Sequence, residues 1–442
     1  MTDVIGWLDE RRNKCGMTFH AIDLSDSNEW QLKNGLLEHN TGGFFSIGGI
    51  ASEANGRFFG KAEQPIIYQP EIGILGFIVR EMPAGFLWLV QAKAEPGNQE
   101  LVQLAPTVQA TYSNYTRLHG GAKTHYLSYF TGARESVVVS DCLQSEQGTR
   151  FAGKFNRNSM TCVDNCLPLK SDMYRWVESA ELKRALLSDY TVNTDARSVI
   201  TTAPWAHIAN DKAPFSGDNE PGSFRALCCK SYRTKNEKGF VESVTAKLEQ
   251  ARRHFDLHVQ KCPLNALDDW KVTHTGIECK KANTPFEVGH YMVDAPEREV
   301  SAWDQPLIQS LNLGEVTLVC QVRAGSLRVF LAPAIEIGLA GGVEYGASYQ
   351  SESWSGTMCH MKRFLEARPD KPLFTILQSD EGGRFMKSRT RYSIVFMPET
   401  EELPDPVEGL WVTLAELEML CRTPKLLTNE ARSCVSLLLG IA

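Results

Sequence analysis

The sequence predicts an α+β fold laid down twice along one chain of 442 residues. Three observations predict it. A faint repeat with a period of about 240 residues runs through the chain, short apolar runs rich in β-branched and aromatic residues recur in both copies, and each copy closes in a stretch of helical periodicity.

The repeat is read from ordered matches. "QPIIYQPEIGILGFIV", from Gln64, falls on "QPLIQSLNLGEVTLVC", from Gln305, at an offset of 241 (305 − 64). The same offset places Glu95 on Glu336, Gly97 on Gly338, Val102 on Val343 and Gln109 on Gln350. Upstream, Trp30 falls on Trp270 and Glu38 on Glu278. Downstream, "LQSEQGTRF" meets "LQSDEGGRF", "WVESAEL" meets "WVTLAEL" and "DARS" meets "EARS". Matches in one order with slowly drifting offsets are what an internal duplication with small deletions leaves.

The elements follow in chain order. "ILGFIVR", "GFLWLVQAKAE" and "ESVVVSDCLQ" carry the strand signature, bounded by Gly, Pro or polar clusters. "SAELKRALLSDY" and "LAELEMLCRT" have apolar residues at helical spacing, with Ser179 and Thr413 at N-cap positions. Each copy therefore reads as a mixed or antiparallel sheet followed by flanking helix. Between the copies, "APFSGDNEPGS" (213–223) has loop composition, and "VESVTAKLEQARRHFDLHV" (241–259) reads as a linking helix. The expected organisation is a first repeat over 1–204, a linker with a helix over 205–262, and a second repeat over 263–442.

Composition narrows the class. A net charge of −7 and a pI near 5.9 leave no footprint for nucleic acid. No apolar run approaches the roughly 20 residues of a membrane helix, and the opening residues lack a basic-then-apolar signal. The twelve cysteines are scattered, with no CxxC pair and no zinc spacing, so the expectation is reduced thiols in a cytoplasmic protein. Dinucleotide, P-loop, nucleophile-elbow and HExxH motifs are all missing. So is any segment setting several glutamates and an Arg on one helix face for magnesium, which disfavours metal-dependent phosphoanhydride hydrolysis.

Candidate chemistry gathers around residue 93. Gln91, Lys93 and Glu95 share one face of a predicted strand. An ammonium beside a carboxylate in a pocket suits general acid and base work, since burial and mutual attraction pull the two proton affinities in opposing senses. The plainer alternative is a rim ion pair of little consequence. "TVQATYSNYT" supplies Thr107, Gln109, Thr111, Tyr112, Ser113, Asn114, Tyr115 and Thr116, whose amides, hydroxyls and rings suit sugar hydroxyls and base faces. The turns Ser145–Glu146–Gly148 and Asp380–Glu381–Gly382 could hold a phosphate on backbone N–H groups. Arg117, Arg150 and Arg384 are candidate pyrophosphate partners, and His119 and His125 flank the polar stretch.

"HNTGGFFSI", "QPIIYQPEIGILGFIVRE", "QAKAEPGNQELVQLAPTVQATYSNYT", "LQSEQGTRFAGKFNRN", "REVSAWDQPLI", "EGGRF" and "WVTLAELEML" closely resemble the NDP-hexose 2,3-dehydratases over almost the whole chain. The resemblance implies a homodimer whose subunits hold two Nudix-like domains arisen by duplication. It implies dTDP-4-keto-6-deoxy-D-glucose as substrate, loss of the carbon 2 hydroxyl, and an enol that becomes a 3,4-diketo sugar for a separate 3-ketoreductase. It implies no redox cofactor, and the missing metal-binding motifs add no metal to that expectation. On this resemblance the nucleotide-sugar pockets fall on Trp30, Tyr112 to Thr116 and Ser145 in the first half, beside Gln91, Thr107 and Gln109. In the second half they fall on Trp270, Gln350, Asp380, Glu381, Gly382 and Gly383. Glu95 is the expected base, Lys93 the enolate-stabilising or acid group, and Tyr115 the alternative proton donor.

The second copy departs from the pattern. "ASYQ" (347–350) replaces the "PTVQ"-like run, Ala332 stands opposite Gln91, and Ala334 opposite Lys93. The expectation is catalysis in the first half, with the second pocket vestigial or structural. Two other readings compete: a non-catalytic nucleotide-sugar-binding protein and a magnesium-dependent Nudix-type hydrolase.

Overall fold

Alternating β-branched and aromatic residues set the strands, and the computed structural model describes residues 3–441 apart from 55–61, 84, 112–123, 210–213, 217–219, 221, 283, 297–299 and 354. The first half contains β1 (Thr18–Ala21), β2 (Trp30–Lys33), β3 (Leu36–His39), β4 (Ser46–Ala54), β5 (Ala62–Tyr68), β6 (Gly73–Met82), β7 (Gly85–Ala94), β8 (Val102–Ala105), β9 (Val108–Ala110), β10 (Val137–Ser145), β11 (Phe155–Cys162) and β12 (Tyr174–Glu178). The second contains β13 (Leu257–Cys262), β14 (Trp270–Val272), β15 (Gly276–Cys279), β16 (Phe286–Asp294), β17 (Ala302–Ser310), β18 (Gly314–Arg323), β19 (Ser326–Ile335), β20 (Val343–Gly346), β21 (Tyr349–Gln350), β22 (Phe374–Ser379), β23 (Arg389–Met397) and β24 (Leu410–Val412).

The architecture is α+β with mixed sheets. One large sheet runs β10-β11-β6-β7-β12, with β8 on β7 and β9 on β6; the other runs β22-β23-β18-β19-β24, with β20 on β19 and β21 on β18. The two orders agree strand for strand. In each, one central pair is parallel, β11 with β6 and β23 with β18. The two smaller sheets exchange their first strands. β1 pairs antiparallel with β16, Thr18 opposite Asp294, while β13 pairs antiparallel with β4, Lys261 opposite Ile50. The opening strand of each half thus completes the small sheet of the other.

Helices follow the sequence closely. The linking helix is Phe240–Phe255; it stops where Asp256 takes a left-handed φ of 41°, and Leu257–Val259, expected to continue it, enter β13 instead. Thr413 caps Leu414–Cys421 as expected: its Oγ1 accepts from the Glu416 N–H at 3.2 Å, and the Glu416 carboxylate accepts from the Thr413 N–H at 2.7 Å. Ser179 does not cap its helix; Glu178 holds that position. The Ser179 hydroxyl accepts from the buried Trp88 Nε1 at 3.0 Å, because a buried indole N–H requires an acceptor. Among the described residues, no helix is long and apolar enough to cross a membrane.

The core is the seam between the halves. Helix Thr194–Thr202 lies on β6 and β11, Asn429–Ile441 lies on β18 and β23, and the two helices pack on each other. Every residue of Thr194–Thr202 is buried, as expected of a helix covered on all sides. At its centre are two arginines, each 1% exposed. Arg197 donates to Ser433 Oγ at 3.3 Å and the Ser379 carbonyl at 3.1 Å. Arg432 donates to Ser198 Oγ at 3.0 Å and the Ser145 carbonyl at 2.5 Å. Each arginine so holds the strand end of the opposite half, just before the turn that carries Glu146 or Glu381.

Two glycines let those turns dock. Gly97 N donates to the Gly382 carbonyl at 2.9 Å, and Gly338 N to the Gly148 carbonyl at 2.8 Å. A Cβ on Gly97 would stand 1.6 Å from the Phe385 carbonyl oxygen, and one on Gly338 1.9 Å from that of Phe151. Backbone cannot yield as a side-chain tip does. Gly338→Ala is therefore expected to cost ~3 kcal/mol or more, at or beyond the top of the usual overpacking range. Gly42→Ala, with open space but a φ of +64°, should cost only the ~1–2 kcal/mol of a left-handed residue. Urea unfolding of both variants checks the ordering.

Candidate active site

The first pocket is built at the end of β7. Lys93 and Glu95 emerge where β7 leaves the sheet, and Lys93 Nζ lies 3.1 Å from Glu95 Oε1 with side chains only 13% and 5% exposed. Gln109 Nε2 donates to the same carboxylate oxygen at 3.0 Å. Gln109 Oε1 accepts from Asn193 Nδ2 at 2.9 Å, and Asn193 Oδ1 caps helix Thr194–Thr202 by accepting from Ala196 N at 2.8 Å. A continuous chain of hydrogen bonds therefore fixes the Glu95 carboxylate to a helix terminus in the core.

Around the pair stand further ionisable groups from both halves. Asp195, in the first turn of that helix, is held well above the usual carboxylate range, first by burial and then by Glu146, Glu381 and Glu95, with Lys93 opposing. Glu146 accepts from Asn156 Nδ2 at 2.6 Å and Asn429 Nδ2 at 3.3 Å; burial raises its proton affinity while Lys154 and Arg432 lower it. Burial lowers that of Lys154, against the pull of Glu146. Glu381 arrives from the second half, pushed up to about 7 by enclosure, with Arg384 and Lys93 opposing and Glu146 and Glu95 reinforcing.

The second pocket is the same construction with different charges. Gln350 Nε2 lies 3.3 Å from Glu336 Oε1, and Ser353 Oγ donates to that oxygen at 2.6 Å. Burial pushes Glu336 and Glu344 up to about 7, and Glu430, the counterpart of Asp195, well above the usual range. Gln147, Gln350, Glu352, Thr390 and Glu430 line a narrow cleft. Where the first pocket has Lys93 and Lys154, the second has Ala334 and Ser388. Equivalent backbone bonds fix the second match: Glu146 N to the Lys154 carbonyl at 3.0 Å, and Asp380 N to that of Ser388 at 3.3 Å.

The structure brings some sequence-predicted residues together and separates others. Lys93, Glu95 and Gln109 converge as expected, and Gln91 sits two residues back on β7, partly exposed. The turn Asp380–Gly383, expected wholly in the second pocket, is divided. The Asp380 carboxylate accepts from Thr390 Oγ1 at 3.0 Å and faces Glu352 and Glu430, whereas Glu381 and Gly383 face Glu95. The Gly382 carbonyl receives Gly97. Ser145, expected in the first pocket, donates to Glu344 at 2.6 Å in the second.

Five further residues have structural partners. Thr107 is buried as a clip between strands, accepting from Ile78 N at 2.9 Å and donating to the Leu89 carbonyl. Trp30 and Trp270, 4% and 5% exposed, lie in the packed seam of the small sheets, and their indole N–H groups donate to the Asp304 and Glu63 carbonyls at 2.7 and 3.2 Å. Arg150 and Arg384 stack 4.2 Å over Phe286 and Phe45, and Arg150 also pairs with Glu352 at 2.6 Å. Tyr112, Ser113, Asn114, Tyr115 and Thr116, with Arg117 and His119, fall outside the described residues. Asn193, Asp195 and Lys154 were not foreseen in the site, although the "DARS"/"EARS" match already marked Asp195.

An ion-paired carboxylate, fixed by a hydrogen-bond chain and backed by carboxyls that hold protons near neutrality, defines a site of the acid–base class. The chain belongs to the NDP-hexose 2,3-dehydratase family, whose sequence model matches residues 1–202 and 241–438. It is 32% identical over 439 residues to the dTDP-4-dehydro-6-deoxy-alpha-D-glucopyranose 2,3-dehydratase of Saccharopolyspora spinosa, covering 97% of this chain and 89% of the relative. It is 31% identical over 449 residues to the enzyme of that name from Amycolatopsis orientalis, covering 98% and 89%. A third, from Streptomyces violaceoruber, is 29% identical over 462 residues, covering 99% and 97%.

The raised carboxyls make stability depend on pH. Glu336 binds a proton in the folded chain up to about 7, but in the unfolded chain only up to the ordinary glutamate value near 4.3. Between those values the unfolded chain ionises first, so this group's contribution to stability falls as pH rises and levels off above about 7. Glu336→Gln keeps an acceptor for Ser353 and abolishes the titration. Thermal melts from pH 4 to 8 should show a variant that gains on the parent through that window, by ~1–3 kcal/mol at pH 8.

Proposed function

We propose that this protein is a 2,3-dehydratase acting on dTDP-4-keto-6-deoxy-D-glucose, with the chemistry in the first-half pocket. The observation that carries this reading is the nearly enclosed 3.1 Å Lys93–Glu95 pair, whose ammonium has no counterpart at Ala334. The printed names of the three relatives supply the substrate.

The 4-keto group acidifies the hydrogen on carbon 3. Glu95 takes that proton, held ready by Gln109 and Asn193. The developing enolate is stabilised by Lys93, and the carbon 2–oxygen bond then breaks with the hydroxyl leaving as water once protonated. Lys93 and Tyr115 are the proton donors that the sequence offers for that role. The enol product rearranges to a 3,4-diketo sugar, the substrate of a 3-ketoreductase. We read the chain as two Nudix-like repeats, 1–204 and 263–442, joined by 205–262 and descended from one duplicated unit. The identical strand orders of the large sheets support this, as do family matches beginning 240 residues apart (241 − 1). The subunit is read as half of a homodimer.

Incubation with the 4-keto substrate, a 3-ketoreductase and NADPH should yield a 2-deoxygenated nucleotide sugar. Glu95→Gln and Lys93→Ala should each lower kcat about 10²–10⁴-fold. Full turnover by Lys93→Ala alongside loss in a Trp270 variant would move catalysis to the second half. A parent enzyme that binds the sugar but releases no water would leave a binding protein instead.

A further inference from the structure

The two halves offer an internal comparison that needs no other sequence. At matched positions the first pocket has Lys93, Lys154 and Glu381 where the second has Ala334, Ser388 and Gln147. Each of these three differences adds an ionisable group to the first pocket, while the second has Glu344 and Glu352 where the first half has Gln103 and Thr111. Two of those groups come from the first half, and Glu381 comes from the second.

Its placement is specific. The turn bearing it is locked to the residues that follow Glu95. Gln99 N and Gln103 Nε2 donate to Ser379 Oγ at 3.1 and 2.8 Å, Gly97 N donates to the Gly382 carbonyl, and Lys387 Nζ donates to the Asn98 and Gln99 carbonyls at 2.6 and 2.9 Å. The point a Cβ would occupy on Gly383 lies 3.1 Å from Glu381 Oε1 and 3.6 Å from Glu95 Oε1. Two carboxyls therefore flank one side-chain-free backbone position.

We propose that Glu381 is the general acid of the first pocket, a catalytic residue delivered across the seam by the second half. Resting on the reading of Glu95 as base, it resolves the proton balance. The carbon 3–hydrogen bond breaks and its proton goes to Glu95. The electron pair moves through the enolate to expel the carbon 2 oxygen, which takes the proton of Glu381 and departs as water. Glu95 then returns its proton to Glu381 directly or through solvent. The groups facing Glu381 are Arg384 and Lys93, which favour its ionised form, and Glu146 and Glu95, which oppose it; enclosure, reinforced by the two glutamates, outweighs the two cations and keeps it protonated to about 7. Glu95, ion-paired with Lys93 and accepting from Gln109, is the carboxylate held in place to receive the proton. Environments that separate two neighbouring carboxyls in this way assign acid and base.

The test is Glu381→Gln in the full chain, with two readouts. Exchange of the carbon 3 hydrogen in deuterated water should persist within a few-fold of the parent, while water loss falls about 10²-fold or more. A substrate carrying fluorine at carbon 2, whose departure as fluoride needs less help from an acid, should be processed by the variant at close to the parent's rate. Glu95→Gln should lose exchange and elimination with both substrates. Equal loss of exchange and elimination in Glu381→Gln, or parent-like water release, would overturn the assignment. Should that variant not fold, Glu381→Asp serves: a retracted acid should slow hydroxyl loss more than fluoride loss, and equal slowing overturns the proposal. If the parent itself neither exchanges nor eliminates, the proposed function fails, and the two failures are told apart.

Discussion

Two buried guanidinium groups hold this structure together at the point where function is built. Arg197 and Arg432 lie on the seam with almost no solvent contact, where an unpaired guanidinium would cost several kcal/mol. Each donates to one carbonyl of its own half, Val192 or Leu427, and to a serine hydroxyl and a strand-end carbonyl of the opposite half. Neither half can supply those acceptors alone. The exchange of β1 and β13 and the mutual docking of Gly97 and Gly338 repeat the same dependence at three levels: side chain, turn and strand.

This interlock explains why consecutive residues serve different pockets. Asp380 and Glu381 are neighbours in one turn, yet one faces Glu352 and the other Glu95. Adjacent side chains in an extended turn point to opposite sides, and here each side is a separate cavity. Glu146 and Gln147 do the same from the other half. Each pocket is thus half native and half borrowed, and a substitution in either turn acts on whichever pocket its side chain faces, whatever half it belongs to in sequence.

Much of this was legible in the sequence. The repeat, the strands and the helices Phe240–Phe255 and Leu414–Cys421 follow from periodicity and capping residues, which are local signals. The Lys93–Glu95 pair was legible because two residues apart on a strand means one face. The strand exchange was not, since Thr18–Ala21 presents the same pattern whichever sheet it joins. Asp195, Glu146 and Glu381 come from three separate segments, and their convergence is a property of the seam alone. Trp30 and Trp270 show the converse: matched positions signalled a shared role, but an indole satisfied by a backbone carbonyl serves packing as readily as a ligand.

The second pocket shows how such a site can lose its cations without losing its fold. Removing the ammonium beside an ionised, buried carboxylate would strand a charge and cost several kcal/mol. Glu336, Glu344 and Glu430 escape that cost because burial holds their protons, turning each from an anion into a neutral hydrogen-bonding group. Ser353, donating to Glu336 at 2.6 Å, occupies the role that Lys93 fills beside Glu95. Glu336 and Glu430 match Glu95 and Asp195, so at those positions the carboxyl persists in both halves, whereas Glu344 stands where the first half has Gln103. What separates the pockets is the ammonium beside the matched glutamate: the first sets Lys93 against Glu95, and the second sets Ser353 and Gln350 against a Glu336 whose proton burial helps retain.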